Sequence, residues 1–355
     1  MKYCVFLKTK AGDFNSVRHM EPQNTTPFFD LVSSSSGAKG LILESKIKTF
    51  KDNIVKAWSA EDLFFIDHYD ISLNARLPNG DHPYEKYDSL LESGYNVGLV
   101  TGIDRDDDYN KAVLKLVTSH PGTPLAVRVG LDEIGVPNLV FNEIEDLIDE
   151  FGGLTGDLYL ILDCRVLLED MDLPALAAAI SLFSDIAIKS NIFHRIVVTS
   201  SSVPENLNKY VKTGSSKDMP RYEGELWGEL KKTSIIQFLS YGDYATVSPD
   251  FLEIETTGPI PIFPKVIYTF SDRLWFQRGE STWQHKDGFS QYKELAKNVV
   301  DFKDYRSKAF SFGDGYIFDI SQYIKNNKGK YKTGNATTWI TASISQHVSF
   351  IHSWL

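Results

Sequence analysis

The sequence predicts an α/β fold, a (β/α)8 TIM-like barrel carrying a C-terminal β-hairpin and helix elaboration. Three observations lead there. Short apolar, β-rich runs recur with longer amphipathic segments between them, the alternation that builds parallel βαβ units. The runs are almost continuously apolar, as strands buried on both faces are. Eight such units fall within residues 1–249, close to the usual barrel length of about 250 residues. The alternative, an open doubly wound sheet, normally uses fewer strands and often a glycine-rich first turn. Here the first turn reads LKTKAGDF and lacks G-x-G-x-x-G.

The strand-like runs are YCVFLK (3–8), PFFDLV (27–32), LFFIDHYDI (63–71), NVGLVTGI (96–103), PLAVRVG (124–130), LYLILDC (158–164), FHRIVVTSS (193–201) and a weaker YATVSP (244–249). Residues 48–58, 109–119, 140–151 and 173–188 space their apolar side chains at helical intervals. Asp106 to Asp108 are placed to cap the helix that follows them, and Gly152-Gly153 to stop another. Residues 32–40 and 213–219 read as loops. After Pro249 the rhythm changes: a β-hairpin turning near Ser271-Asp272, a helix in GFSQYKELAKNVVDF, then two further segments. The expected organisation is a barrel core over 1–249 and an elaboration over 250–355 that completes and caps the same barrel.

Composition sets limits on function. With 42% hydrophobic and 24% charged residues the chain is of ordinary globular type. A formal net charge of -10 argues against sequence-blind adhesion to nucleic acid or anionic lipid. Two cysteines, Cys4 and Cys164, give neither a disulfide framework nor a cysteine zinc motif. No run of roughly 18 apolar residues predicts a membrane span. A cytoplasmic location with no membrane partner is the expectation.

Function in a barrel of this kind sits at the C-terminal ends of the strands. The polar residues that end the apolar runs are Lys8, Asp30, Asp67, Arg128, Asp163 and Ser200, with Asp243 just before the weak eighth run. Alternation puts Lys8 on the face of Phe6, Asp30 with Phe28 and Asp163 with Ile161. Inward, they bring charges of both signs to the mouth, where each needs a partner or a polar ligand. Two readings stand side by side: a salt-bridge layer closing the barrel, or a binding site. Arg128 wants a carboxylate or a phosphate, and Asp163 on the next strand is its structural partner. Asp67 is expected in the mouth and His68 on the opposite face. The loop GIDRDDD (102–108) suits helix capping better than cation binding, and TSSS (199–202) reads as a turn.

Several segments in order resemble the phage and prophage "beta protein" family: FLKTKAGDF (6–14), TPFFDLV, YGDYATVSP (241–249) with its Gly-Asp-Tyr, LWFQRGES (274–281), GFSQYKELAKNVV, FSFGDGYI (310–317), and the closing Trp339 and His347. The resemblance spans essentially the whole chain. It departs from the family where two adjacent histidines are frequent and this chain has Gln346-His347. The resemblance implies a barrel and a phage or mobile-element setting, with no catalytic assignment. Arg278 beside Gly279 offers a guanidinium where the backbone permits close approach. Ser311 and Asp314 form a polar turn, and Trp339 offers a ring for stacking.

The leading functional expectation is binding or hydrolytic processing of a phosphate-bearing ligand, a nucleotide or nucleic-acid end. Asp163, Asp30 and His347 are the candidate catalytic groups. Lys8, Asp67, Arg128, Ser200, Asp243, Tyr244, Arg278, Gly279, Ser311, Asp314 and Trp339 are the candidate ligand contacts, with a divalent metal ion as a candidate cofactor. The alternative is a non-catalytic protein-binding component or inhibitor in phage or antiphage defence.

Overall fold

Apolar runs bounded by turn residues become strands here, and the segments between them become helices over the outer faces. The computed structural model describes residues 3–21, 23–32, 40–250, 258–323 and 332–355. Eight parallel strands close a barrel: β1 Tyr3–Lys8, β2 Thr25–Asp30, β3 Phe64–Asp67, β4 Val97–Thr101, β5 Leu125–Gly130, β6 Leu158–Val166, β7 Arg195–Ser201 and β9 Leu239–Asp243, whose Tyr241 pairs with Tyr3 to complete the ring. The intervening β8 Ser215–Pro220 leaves the barrel. It joins β10 Lys265–Thr269 and β11 Arg273–Arg278 in an antiparallel sheet ordered β10-β11-β8.

Seven strands fall where their apolar runs lie, with ends shifted by a few residues. The eighth is corrected. The barrel strand is LSYGD, and the β-branched run YATVSP is a turn in which Ala245 takes φ 50. Residues 213–219, expected as a loop, mostly form β8, so the accessory sheet draws a strand from inside the segment expected to be barrel core. Most of the loop expected over 32–40 lies outside the described residues. The hairpin near Ser271-Asp272 is present as β10 and β11. His194 precedes its strand and is half exposed.

Two apolar layers follow from strand alternation. Inside the barrel lie Cys4, Phe6, Phe28, Phe65, Val100, Ala126, Tyr159, Ile161 and Val197. The larger outer layer packs the strands against the helices. Leu173–Ser190 is, among the described residues, the one helix long and apolar enough to cross a membrane; here Ile180 and Phe183 are buried in the outer layer. The terminal helix Ala336–Trp354 packs on Ala11–Val17 beside β1. Thr341 Oγ1 donates to Gly12 O at 3.1 Å, and a Cβ on Gly12 would stand 2.6 Å from Ile340 Cγ2. At the other side of the same helix a Cβ on Gly313 would stand 2.1 Å from Ala342 O. Both glycines permit helix contact that no larger residue allows.

Asp13 is buried in the first helix and accepts the Lys8 N–H at 3.0 Å. Burial pushes its carboxyl up to about 7. A folded value above the unfolded one makes ionisation oppose folding, so this group costs stability as pH rises from about 4 towards 7. Asp13→Asn keeps the acceptor and removes the charge. Its Tm should exceed that of the wild type at pH 8, with the gap narrowing as pH is lowered towards 4, as read by calorimetric scans across that range.

Candidate functional site

One residue beyond the inner apolar layer, five strands turn a charged side chain inward. Lys8 follows Phe6, Asp30 follows Phe28, Asp67 follows Phe65, Arg128 follows Ala126 and Asp163 follows Ile161, each two positions along its strand. All five are at most 2% exposed. Arg128 is the hub. Its Nε and Nη2 donate to Asp163 Oδ2 at 3.0 and 2.5 Å. Its Nη1 donates to Asp30 at 3.0 Å and to Asp67 at 2.5 Å, and Nη2 also reaches the Tyr244 hydroxyl. Tyr244 in turn donates to Asp163 Oδ2 at 2.7 Å. The five N–H donors of the guanidinium are therefore all engaged.

Lys8 extends the network, donating to Asp30 at 3.0 Å and Asp70 at 2.6 Å. At Asp30 and Lys8 burial opposes the charge and the partners win, whereas burial leaves the Asp70 carboxyl raised. Burial pushes the Asp30 carboxyl up, yet Lys8 and Arg128 hold it below the usual carboxylate range. Burial pulls Lys8 down, yet Asp30 and Asp70 raise it. Arg105, from the loop after β4, donates to Asp67 at 3.3 Å, and the Tyr109 hydroxyl donates to the same oxygen at 3.3 Å.

Tyr69 lies across this layer. Its ring centre is 4.2 Å from the Arg128 guanidinium, 4.4 Å from that of Arg165 and 4.9 Å from that of Arg105, all within cation–π range. Arg165 occupies an irregularity between β6 and β7 and takes φ 51, a conformation that costs a non-glycine residue energy and often marks a functional position. Its side chain donates to Asp250 at 2.6 Å and to Pro249 O at 3.1 Å. Its Nη1 has no hydrogen-bond partner. Beside Arg165 and Tyr69 opens a cavity of about 710 Å³ over the ends of β5, β6 and β7. Lys209 and Arg165 face it with Asp104, Asp132, Glu133, Glu205 and Asp250. Burial pushes the carboxyls of Asp104 and Glu133 up.

Other sequence-expected residues lie elsewhere. Asp243 and Ser200 share the strand parity of Tyr241 and Val198, so they face the helical layer rather than the mouth. Asp243 accepts from Tyr3 Oη at 2.6 Å and lies 2.9 Å from His347 Nε2, whose Nδ1 is 2.9 Å from Thr269 Oγ1. Burial pushes the Asp243 carboxyl up, but His347, Tyr3 and a backbone N–H bring it below its ordinary value. His347 is fully buried, so this hydroxyl–imidazole–carboxylate chain clasps β9, β10 and the terminal helix with no path for a substrate. Gln346, where adjacent histidines are frequent in the resemblance, is equally buried and takes a 2.6 Å bond from Arg306.

Trp339 is buried, stacked on Tyr292 at 4.6 Å, with its indole N–H given to Thr333 O at 2.8 Å; it offers no ring to a ligand. Asp314 is buried against Tyr268, and Ser311 caps the helix Phe312–Gln322 by accepting from Asp314 N at 3.0 Å. Arg278 donates to Val211 O at 2.9 Å and stacks on Phe263. With Gly279 it borders a separate polar cavity of about 910 Å³ in the accessory lobe. Arg278, Asp314, Trp339 and His347, expected to share one ligand, are each held by different partners. Arg128, expected to hold phosphate, has its guanidinium spent on carboxylates. As alternation predicts, His68 leaves the mouth and pairs with the Tyr87 hydroxyl at 2.8 Å. Among the described residues no group of three or more His, Cys, Asp or Glu is set to hold a metal ion.

Tyr69, Asp70, Arg105, Arg165 and Asp250 were absent from the expected site. Their signal was present but weak: Arg165 directly follows the strand run LYLILDC, and Tyr69-Asp70 follows the strand end at Asp67. Polar residues one or two places past a barrel strand fall in the βα loops that build such mouths.

These features define a (β/α)8 barrel with a charge-closed mouth and an accessory sheet. The model of the family described as "Beta protein" matches residues 3–352, and the chain belongs to that family. No curated protein matches the sequence.

Removing the hub tests the network. Arg128→Leu would leave Asp30, Asp67 and Asp163 buried without their shared cation, a loss of about 3–5 kcal/mol. In the wild type Asp30 titrates below its unfolded value, so its contribution is present above that value and is lost as pH falls through the folded one. The variant's uncompensated carboxylates reverse the sign. Denaturant unfolding should show the deficit largest near pH 7 and shrinking towards pH 4; a pH-independent deficit would contradict the charge account.

Proposed function

We propose that the barrel mouth binds a phosphate-bearing small molecule of nucleotide class, with Arg165 as its anchor. The observation that carries this reading is Arg165 itself: a non-glycine residue at φ 51 on the wall of the cavity, whose Nη1 is buried and has no hydrogen-bond partner. A guanidinium with a spare donor is suited to a phosphate oxygen, and Lys209 supplies a second cation. The carboxylates around them suit a ligand that also brings hydroxyl or amino donors, as a nucleotide's sugar and base do. Tyr69 and Tyr210 line the same cavity and offer rings for a base. Asp104 and Glu133, both pushed towards neutrality by burial, are the proton carriers for a hydrolytic step. Asp163 and Asp30 act by positioning, through Arg128 and the Arg165 backbone N–H, which donates to Asp163 at 2.9 Å. A phage or mobile-element setting, in which such a ligand would serve phage–host conflict, belongs to the same proposal.

Titration calorimetry with AMP, ADP and ATP tests it. Arg165→Gln should weaken binding about 10- to 100-fold, the worth of a charged hydrogen bond, while leaving Tm near that of the wild type. Undiminished affinity in the variant, or no heat and no thermal shift with any of the three nucleotides, would reject the reading.

A further inference from the structure

An open strand edge stands next to the mouth cavity. β8 is an edge strand: in the order β10-β11-β8 it has a neighbour on one side only, and five of its six residues are exposed. The phase of its backbone follows from the ladder. Arg221 N donates to Asp272 O at 3.0 Å, and Arg221 opposes Asp272 in the register that pairs Pro220 with Arg273. Hydrogen-bonded positions alternate along an antiparallel strand. Met219, Lys217 and Ser215 therefore bond to β11, while the N–H groups of Ser216 and Asp218 point to the open edge.

Along β8 runs a cleft of about 720 Å³, bordered by Lys217–Pro220 on one side and Val166–Asp170 on the other. Its lining is apolar at Leu167, Pro204 and Met219, and acidic at Glu169, Asp170 and Asp218, against one lining cation, Lys217, with Asp218 also 3.3 Å from Arg273 Nε of β11. An open strand edge beside an apolar cleft with an acidic rim matches what an extended segment needs when it adds to a sheet: main-chain partners, room for alternate side chains, and charge that selects them. We infer that β8 takes an extended, lysine- or arginine-bearing segment of a partner protein as an added strand, its apolar side chains in the cleft and its basic ones on Glu169, Asp170 and Asp218. The cleft shares Val166, Leu168, Pro204 and Tyr210 with the mouth cavity, so a bound segment would border that cavity as well.

The test uses the full chain and fluorescent heptapeptides read by anisotropy: Lys-Val-Lys-Val-Lys-Val-Lys, its Glu-for-Lys counterpart, and the basic peptide N-methylated on alternate residues, in each of the two phases. The basic peptide should bind, the acidic one should bind at least about tenfold more weakly, and one methylated phase should lose binding because it can no longer donate to the edge. Asp218→Pro removes an outward N–H that no β11 bond uses, a change edge strands tolerate, and should weaken the basic peptide more than Asp218→Asn does. Equal binding of acidic and basic peptides, indifference to N-methylation in both phases, equal effects of the two substitutions in folded protein, or no binding of the basic peptide would each overturn the inference. The methylated peptides decide the matter even where Asp218→Pro fails to fold.

Discussion

The mouth of this barrel is organised by one buried guanidinium. Arg128 sits on β5 with three aspartates from β2, β3 and β6 drawn onto it. None of the four can be removed alone without stranding charge in a layer at most 2% exposed. The arrangement ties non-adjacent strands across the barrel, a constraint that neighbouring backbone ladders cannot supply. It also fixes what lies above it. Asp163 bonds the backbone of Arg165, and Tyr69 is held on the guanidinium face. The rim is therefore positioned by a layer that is itself out of reach of solvent. Lys8, Arg105 and Arg165 tie this layer to Asp70, Asp104 and Asp250 nearer the rim.

Much of this was legible before any coordinates, because barrel strands encode it twice. Near-continuous apolar runs locate seven strands, and period-two alternation puts Lys8, Asp30 and Asp163 each on the face of the apolar residue two places earlier, with Asp67 and Arg128 among the polar residues that end the runs. The partnership of Arg128 with Asp163 followed from strand adjacency. Alternation was also the reason Asp243 and Ser200 could not be sorted: their side depends on which residue of LSYGD and of RIVVTSS faces inward, and the eighth strand had been placed too late in the chain. A strand built from Ser, Tyr, Gly and Asp carries little β signal, while YATVSP carries a strong one and is nonetheless a turn. Tertiary closure against Tyr3 decided the matter.

The C-terminal region resisted a local reading for a different reason. Arg278, Asp314, Trp339 and His347 look functional because core building seldom uses such residues together. In the fold each meets a separate need: Arg278 bonds the Val211 carbonyl, Asp314 stands where a helix begins, Trp339 fills the accessory core, and His347 joins three elements. The segments that carry the family resemblance are largely these packing solutions. Gly12 and Gly313, both within them, sit where the terminal helix approaches other helices too closely for a side chain. A pattern of this kind records how an accessory lobe is fastened to a barrel, and it is silent on the ligand.

That division bears on where function belongs in the molecule. Asp314, Trp339 and His347 are buried and hydrogen-bonded, so their chemistry is consumed by the fold. The positions with chemistry to spare lie at the end of β6, past β4 and β5, and on the edge of β8: an arginine in a left-handed backbone with an unpartnered nitrogen, raised carboxyls at Asp104 and Glu133 on an open cavity, and strand donors aimed outward. They adjoin one another, since the mouth cavity and the β8 cleft share a wall at Val166, Leu168, Pro204 and Tyr210. The accessory sheet brings an edge strand beside the mouth cavity, and the His347 clasp that anchors β10 helps hold it there. The proposed small-molecule site and the proposed strand-docking site have Tyr210 in common.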